Sequence, residues 1–165
     1  MKRVVVLAMH GSPPRDFPHD ELHEFFGLHA RIHALPPGQQ SGPLQRYAAL
    51  DSKMRNWPRT AENDPFFAAS QELTRALAAA CGCPVELGFN EFCAPTLAEA
   101  LDCAAARHPD EVVVVTPMMT RGGEHSEIDI PAAIEQARQH HPGQRFRYAW
   151  PFDAARVARF LAEQL

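Results

Sequence analysis

The chain has 165 residues, of which 45% are apolar, and this size predicts one domain over residues 1–165 with a single hydrophobic core. It carries 16 Lys and Arg against 20 Asp and Glu, a formal net charge of -4, without a basic block, so a nucleic-acid partner is not expected. The apolar runs are only as long as strands, and one begins almost at the N-terminus. Neither a signal peptide nor a membrane partner is therefore predicted, and a cytoplasmic location is expected.

The first element in chain order is a strand over residues 3–9, a continuous aliphatic run that is typical of a strand buried on both faces of a parallel sheet. Residues 13–62, which are rich in proline and glycine, interrupt the pattern, with helices predicted over 20–35 and 44–56. Connections of this length are uncommon in compact domains and tend to be lids, binding loops or disordered segments. We interpret this stretch as a helical insertion that forms a lid over the strand ends.

From residue 63 onward, helices alternate with strands. The predicted elements are a helix over 63–80, a strand over 85–92, a helix over 97–107, a strand over 111–116, a helix over 130–140, a strand over 145–150 and a helix over 153–164. Such alternation implies right-handed βαβ crossovers. The predicted fold class is therefore α/β, with a mainly parallel four-stranded sheet, helices on both faces and a helical insertion after the first strand.

Two histidines follow predicted strands. His10 comes directly after the first strand, and His125 follows the third, in a loop that contains Gly122 and Gly123. Ligands bind beyond the carboxyl ends of the strands in open α/β sheets, so two imidazoles arriving there indicate a metal site or a proton-transfer site. The simpler interpretation of His10 is a side chain that caps a turn by hydrogen bonding.

Glu91 is a third candidate, near the end of the second predicted strand. A carboxylate among apolar residues is unfavourable unless it has a partner, and a buried salt bridge is the alternative to a functional role. Two neutral imidazoles and one carboxylate suit a first-row divalent metal and leave coordination positions for a substrate. His10, His125 and Glu91 are therefore the predicted metal ligands.

Several segments together resemble a known family. They are His10-Gly11-Ser12 after a strand, the run Phe-Asn-Glu-Phe-Cys-Ala-Pro-Thr-Leu over residues 89–97, and the strand at 112–117 followed by Gly123-x-His125 and Asp129-Ile130-Pro131. Their order and spacing resemble the small class II chelatases, the sirohydrochlorin cobaltochelatase and ferrochelatase group of the CbiX/SirB type. The resemblance covers residues 1–12 and 63–165 and implies a chelatase-like fold.

The resemblance also implies an activity, the insertion of a divalent ion into a sirohydrochlorin-like tetrapyrrole. Cobalt, ferrous iron and nickel all remain open as the metal. His10 and His125 are then metal ligands and proton acceptors, and Glu91 assists them as a catalytic residue. The ion is a substrate, no organic cofactor is expected, and the expected assembly is a homodimer or an internally paired cleft.

Small and basic residues near the two histidines are candidates for tetrapyrrole binding. Ser12, Gly122 and Gly123 allow the backbone to approach a ligand, and Arg15 and Arg121 could bind its peripheral carboxylates. An ordinary charged surface explains any one cation equally well, and the insertion offers four more: Arg46, Lys53, Arg55 and Arg59.

The predicted insertion also contains two pairs of histidines spaced four residues apart, His19 with His23 and His29 with His33, which lie on one face each if the segment is helical. Such pairs can bind metal or form solvated surface. Two other functions remain open for the chain. One is a non-catalytic metal- or tetrapyrrole-binding carrier, and the other is a hydrolase or phosphoryl-transfer enzyme, for which no Gly-x-Ser-x-Gly or P-loop motif is present.

Overall fold

The computed structural model describes residues 1–36 and 39–165, with only the backbone at residue 33. Residues 37 and 38 of the predicted insertion and the side chain of His33 lie outside this description. The chain divides into two compact units. Unit 1 comprises Met1–His10, Ser70–Asn90 and Pro95–Leu165, and unit 2 comprises Gly11–Ala69 and Glu91–Ala94. One domain over residues 1–165, with 13–62 as an insertion, stays a prediction.

The fold class predicted from the sequence is confirmed, and the strands pair in parallel throughout, in the order β2-β1-β3-β4. Across the described residues the elements are β1 (Arg3–Met9), α1 (His19–Ala34), α2 (Ser41–Arg55), α3 (Pro65–Cys81), β2 (Val85–Phe89), α4 (Leu97–Ala106), β3 (Glu111–Val115), a π-helical turn (His125–Asp129), α5 (Ile130–His140), β4 (Phe146–Tyr148) and α6 (Ala154–Ala162).

The core of unit 1 lies against the central strand β1. Val4 and Val6 are fully buried and pack in one apolar cluster with the buried faces of α4 and α5. Val5 and Leu7, which point to the opposite face of the sheet, are buried as well. Strand β1 is therefore buried on both faces, as its continuous aliphatic run predicts.

Strand β2 is shorter than predicted, because it ends at Phe89 rather than at residue 92. The residue after the strand, Asn90, holds the chain at this point: its backbone N–H and its side-chain Nδ2 each donate a hydrogen bond of 2.9 Å to the carbonyl of Met9. Phe92 then adopts a positive φ of 60°, which a strand does not allow. Glu91 consequently lies beyond the strand and not within it.

Two helices of unit 1, α4 and α6, begin with side-chain caps. Thr96 and Glu99 form a capping box at the start of α4, and the Asp153 side chain accepts from the backbone of Arg156 at the start of α6. Helix α6 buries none of its residues. Across the described ranges 1–36 and 39–165, no helix combines the length and the apolar character needed to span a bilayer.

Unit 2 contains α1 and α2, which correspond to the two helices predicted within residues 13–62. Phe25 of α1 is buried and stacks on Tyr47 of α2, with ring centroids 4.5 Å apart, and Leu50 and Met54 of α2 are also buried. The buried Asp64 accepts a hydrogen bond from the backbone N–H of Phe67 in the first turn of α3. Unit 2 is thus built on a small apolar core.

Candidate functional site

The imidazole rings of His10 and His125 meet within unit 1. Their ring centroids are 4.5 Å apart with planes at 88°, and a ligand nitrogen of one lies within 4.8 Å of a ligand nitrogen of the other. His10 directly follows β1 and is exposed, whereas His125 begins the π-helical turn and its side chain is 21% exposed. The structure therefore brings together the two histidines that the sequence placed at one sheet edge, while their roles stay predictions.

Asp129 orients the ring of His125. The Nδ1 atom of His125 lies 2.6 Å from Oδ2 of Asp129, and because an ionised carboxylate only accepts hydrogen bonds, Nδ1 carries the proton. The lone pair then belongs to Nε2, which is the arrangement that metal-binding histidines usually have. The backbone N–H of Ile130 donates to the carbonyl of His125 and closes the π-helical turn, a feature that recurs at functional sites.

The motif alone assigns no role to Asp129. The available signal is its position four residues after His125, which places the two side chains on one face only if the segment is helical. A π-helical turn carries no hydrophobic periodicity of its own over five residues, so the sequence predicts a loop before residue 130 and not this turn.

Hydrogen bonds fix the segment that carries His125. The hydroxyl of Ser126 donates to the carbonyl of Gly123 at 3.0 Å, and the hydroxyl of Tyr148 donates to the carbonyl of Ser126 at 3.1 Å. Burial raises the pKa of Tyr148 to about 12, so this donor keeps its proton at neutral pH. The indole of Trp150 donates to the carbonyl of Met118 at 3.0 Å. Several hydrogen bonds therefore hold the segment between β3 and α5 in place.

Arg121 and Gly122 share a carboxylate partner. Oε1 of Glu127 accepts a hydrogen bond from the backbone of Gly122 at 3.0 Å and lies 3.4 Å from Nε of Arg121. The hydrogen bond from the Gly122 backbone lowers the pKa of Glu127, and the Arg121 side chain lowers it by a smaller amount. The Arg121 side chain is 75% exposed, with its guanidinium 5.9 Å from the centroid of the Trp150 ring. Arg121 is thus accessible to an anionic ligand.

A largely apolar cavity of about 560 Å³ lies in unit 1 beyond β3 and β4. Thr116 follows β3 and Ala149 follows β4, so the cavity is at the carboxyl edge of the sheet, the edge at which His10 follows β1. The cation in its lining is Arg156, on α6. The full lining is Thr116, Met119, Ala149, Pro151, Phe152, Asp153, Arg156, Val157 and Phe160.

Within unit 2, Gly11 and Glu91 are in close backbone contact. Gly11 has a φ of +111°, and a Cβ atom there would lie 1.8 Å from the carbonyl oxygen of Glu91, so only glycine fits. The carbonyl of Ser12 accepts from Nη2 of Arg59 at 3.3 Å and from the thiol of Cys93 at 3.5 Å. Burial raises the pKa of the Cys93 thiol, which keeps it protonated as a donor.

Most of the predicted tetrapyrrole-binding cations of the insertion have carboxylate partners within unit 2. The ion pairs are Arg46–Glu24, Lys53–Glu21, Arg55–Asp51 and Arg59–Asp64. In the last pair the two side chains are only 4% and 0% exposed, so Arg59 is structural and not a ligand for a solvent-borne anion. The exposed Arg15 and Arg121 stay the predicted carboxylate-binding cations.

The fold and the site together define a class, an α/β protein with a parallel sheet whose carboxyl edge carries two paired imidazoles and an orienting carboxylate. The CbiX family model matches residues 62–165, and the chain belongs to this family. The matched stretch contains Glu91, His125, Asp129 and the lining of the apolar cavity. It begins after β1, so His10 is connected to the site by its geometry and not by the family match.

Curated relatives resemble parts of the chain. The sirohydrochlorin cobaltochelatase of Priestia megaterium is 39% identical over 67 residues, 41% of this chain and 22% of that protein. The protein of the same name from Saccharolobus solfataricus is 49% identical over 50 residues, 30% of this chain and 38% of the relative. Each alignment thus covers well under half of the relative's length. A Marinobacter aquaeolei VT8 protein that carries the name CbiX has a solved structure with a TM-score of 0.52 and 16% identity, covering 98% of this chain and 92% of that one, which supports the fold.

Proposed function

We propose that this chain is a metal chelatase that inserts a divalent ion into a tetrapyrrole of the sirohydrochlorin type. The observation that carries the proposal is the His10–His125 pair, with ring centroids 4.5 Å apart at the carboxyl edge of the sheet. The similarity to proteins named sirohydrochlorin cobaltochelatase supports this reaction. It favours cobalt as the metal, with ferrous iron and nickel as alternatives, because imidazole ligands suit several first-row ions.

In this proposal the two imidazoles hold the incoming ion. His125 offers Nε2, because its Nδ1 proton is committed to Asp129. Glu91 is the proposed third ligand, since it directly follows Asn90, and the two hydrogen bonds from Asn90 to the carbonyl of Met9 fix the chain next to His10. Three ligands leave coordination positions open, so the macrocycle nitrogens can bind the ion before the protein releases it.

Metal insertion also requires two protons to leave the macrocycle. The divalent ion replaces the two pyrrole N–H protons, and charge is conserved because two protons depart as one dication enters. Once the ion has moved to the macrocycle, the imidazoles of His10 and His125 and the carboxylate of Glu91 can accept these protons. No electron is transferred, so the proposed reaction needs no organic cofactor.

The apolar cavity supports the macrocycle-binding part of the proposal. Its lining contains Phe152 and Phe160, which suit the apolar face of a tetrapyrrole, and Arg156, which suits a peripheral carboxylate. Arg15 and Arg121 are the further proposed carboxylate ligands. The backbones of Ser12, Gly122 and Gly123 are proposed to approach the substrate, with Gly122 having a φ of +90°.

A homodimer is the proposed assembly. Helix α6 buries none of its residues and exposes Leu161, which lies outside the cavity lining, by 55%, so it offers apolar surface to a second copy of the chain. Sedimentation equilibrium should give twice the chain mass. A single-chain mass at every protein concentration up to about 100 μM would mean that any association is weaker than a Kd of this size, and it would contradict the proposed dimer.

The test is anaerobic spectrophotometry with sirohydrochlorin and, in separate reactions, Co²⁺, Fe²⁺ and Ni²⁺. We expect the wild-type chain to accelerate the spectral change of metal insertion with at least one ion. With the His10→Ala/His125→Ala double variant, the rate should equal that measured without protein. If the chain binds sirohydrochlorin but does not accelerate metal insertion, the result would contradict the chelatase and favour a carrier function. Equal rates with and without the wild-type chain, and no binding, would overturn the proposal.

A further inference from the structure

Unit 2 carries a second pair of histidines. His19 and His23 are exposed on the first turns of α1, four residues apart, with ring centroids 4.1 Å apart and planes at 52°. We propose that these two side chains chelate one divalent transition-metal ion through a nitrogen of each ring. This site is independent of the proposed chelatase activity, because it shares no residue with the His10–His125 pair.

The helical spacing brings both rings within reach of one ion. Side chains at positions i and i+4 of an α-helix lie on one face, one turn apart. An ion that binds each imidazole nitrogen at about 2.0–2.1 Å joins nitrogens up to roughly 4 Å apart. The ring centroids are 4.1 Å apart, so rotation of the two side chains, without a change of the backbone, can bring one nitrogen of each ring within this distance.

The backbone between the two histidines is held in place. Glu21 pairs with Lys53 at 2.7 Å and Glu24 pairs with Arg46 at 2.6 Å, and both partners belong to α2. Phe25, two residues after His23, is buried. Because contacts on both sides of His23 fix the helix, little conformational freedom is lost when an ion binds, which favours chelation.

The ligand set determines which ions would bind. Two neutral imidazoles favour Ni²⁺, Cu²⁺, Zn²⁺ and related first-row ions, whereas Mg²⁺ and Ca²⁺ prefer oxygen ligands. The positive end of the helix dipole opposes a cation at this position, and the carboxylate of Asp20 in the first turn offsets it. The proposed ligand class is therefore a borderline transition-metal dication and not a hard alkaline-earth ion.

The experiment is calorimetric titration of the full chain with Ni²⁺, in the His10→Ala/His125→Ala background so that the proposed chelatase site does not contribute. We expect this background variant to bind Ni²⁺, and His19→Gln or His23→Gln to weaken that binding roughly a hundredfold, because one chelating partner is lost. The control is His140→Gln, an exposed histidine at the end of α5, which should leave the titration unchanged. Mg²⁺ should give no signal.

Two results would overturn this inference. One is the absence of Ni²⁺ binding in the background variant, and the other is an unchanged affinity after both His19→Gln and His23→Gln. The same substitutions in the wild-type chain give a second measurement, with one equivalent of Ni²⁺ expected to be lost. A failure of the chelatase proposal would look different: the wild-type chain would not accelerate metal insertion, while Ni²⁺ binding by His19 and His23 would still be observed.

Discussion

The two units of the chain are stabilised in different ways. Unit 1 is a parallel sheet with a continuous aliphatic core, and its polar groups of interest gather at the carboxyl edge, where His10 and His125 meet. Unit 2 has a smaller apolar core and an ion pair, Arg59–Asp64, in which both side chains are buried, whereas the buried Glu111 of unit 1 pairs with arginines that are 49–68% exposed. Apolar patterns in the sequence predict most elements of unit 1 and also the helices α1 and α2 of unit 2, whereas the buried ion pair of unit 2 leaves no signal in the sequence.

The largest expected effect is on the histidine pair of unit 1. His10→Ala and His125→Ala should each lower the rate of metal insertion by about 10²–10⁴-fold, because each removes a metal ligand and a proton acceptor. The far-ultraviolet circular dichroism should not change, since neither ring belongs to the buried core. His29→Ala in unit 2 is the matched control and should retain the wild-type rate. Rates within threefold of wild type in either site variant would contradict the proposed roles.

The next effect concerns the stability of unit 2. Arg59→Leu should lower the free energy of unfolding by about 3–5 kcal/mol, because Asp64 would keep a buried charge without its partner. Arg46→Ala removes an exposed ion pair with Glu24 and should lower the free energy of unfolding far less, because solvent screens this pair. Urea denaturation of both variants measures the difference. Equal losses would show that burial does not distinguish the two ion pairs.

A smaller effect on activity is expected at Asp129. Asp129→Asn should weaken metal binding or lower the insertion rate by about 10–100-fold, because it removes the carboxylate that fixes the Nδ1 proton of His125. Asp129 is half exposed, so the unfolding midpoint in urea should move little. A variant with unchanged metal affinity and rate would mean that the hydrogen bond to His125 has no part in the site.

Alanine substitutions at two glycines, one in each unit, test how closely each site is packed. A Cβ at Gly88 of β2 would lie 2.7 Å from Cβ of Ala100, so Gly88→Ala should destabilise the protein by about 1–3 kcal/mol. Gly27 of α1 has open space around that position, and Gly27→Ala should stabilise it by up to about 1 kcal/mol through helix propensity. Thermal unfolding gives both signs. A stabilising Gly88→Ala would contradict the close packing of β2 on α4.

Elements with a strong apolar pattern are the ones that the sequence predicts accurately. The predicted strand over 3–9 and helix over 130–140 coincide with β1 and α5. A continuous aliphatic run indicates the strand, and apolar positions at the helical period indicate the helix. Strand β2 is overpredicted because the hydrogen bonds from Asn90 to the carbonyl of Met9 turn the chain after Phe89, and the sequence pattern does not reveal these contacts.

The candidate site is only partly predictable. His10 and His125 are identifiable because both follow strands that belong to one parallel sheet. The role of Asp129 depends on a local π-helical turn, which short-range patterns do not indicate. Likewise, six cations are equivalent in the sequence, and only the fold shows that Arg59 is buried while Arg15 and Arg121 are exposed. Burial of a charged side chain is a property of tertiary structure and leaves no periodic signal.

The most direct test of the central claim, that His10 and His125 bind one ion, is X-ray absorption spectroscopy of the Co²⁺ complex. The measurement uses the His19→Gln/His23→Gln variant, so that the second histidine pair does not contribute. The account predicts two imidazole nitrogens around cobalt, falling to one when either His10→Ala or His125→Ala is added. An unchanged number of imidazole ligands in both of those variants would contradict it.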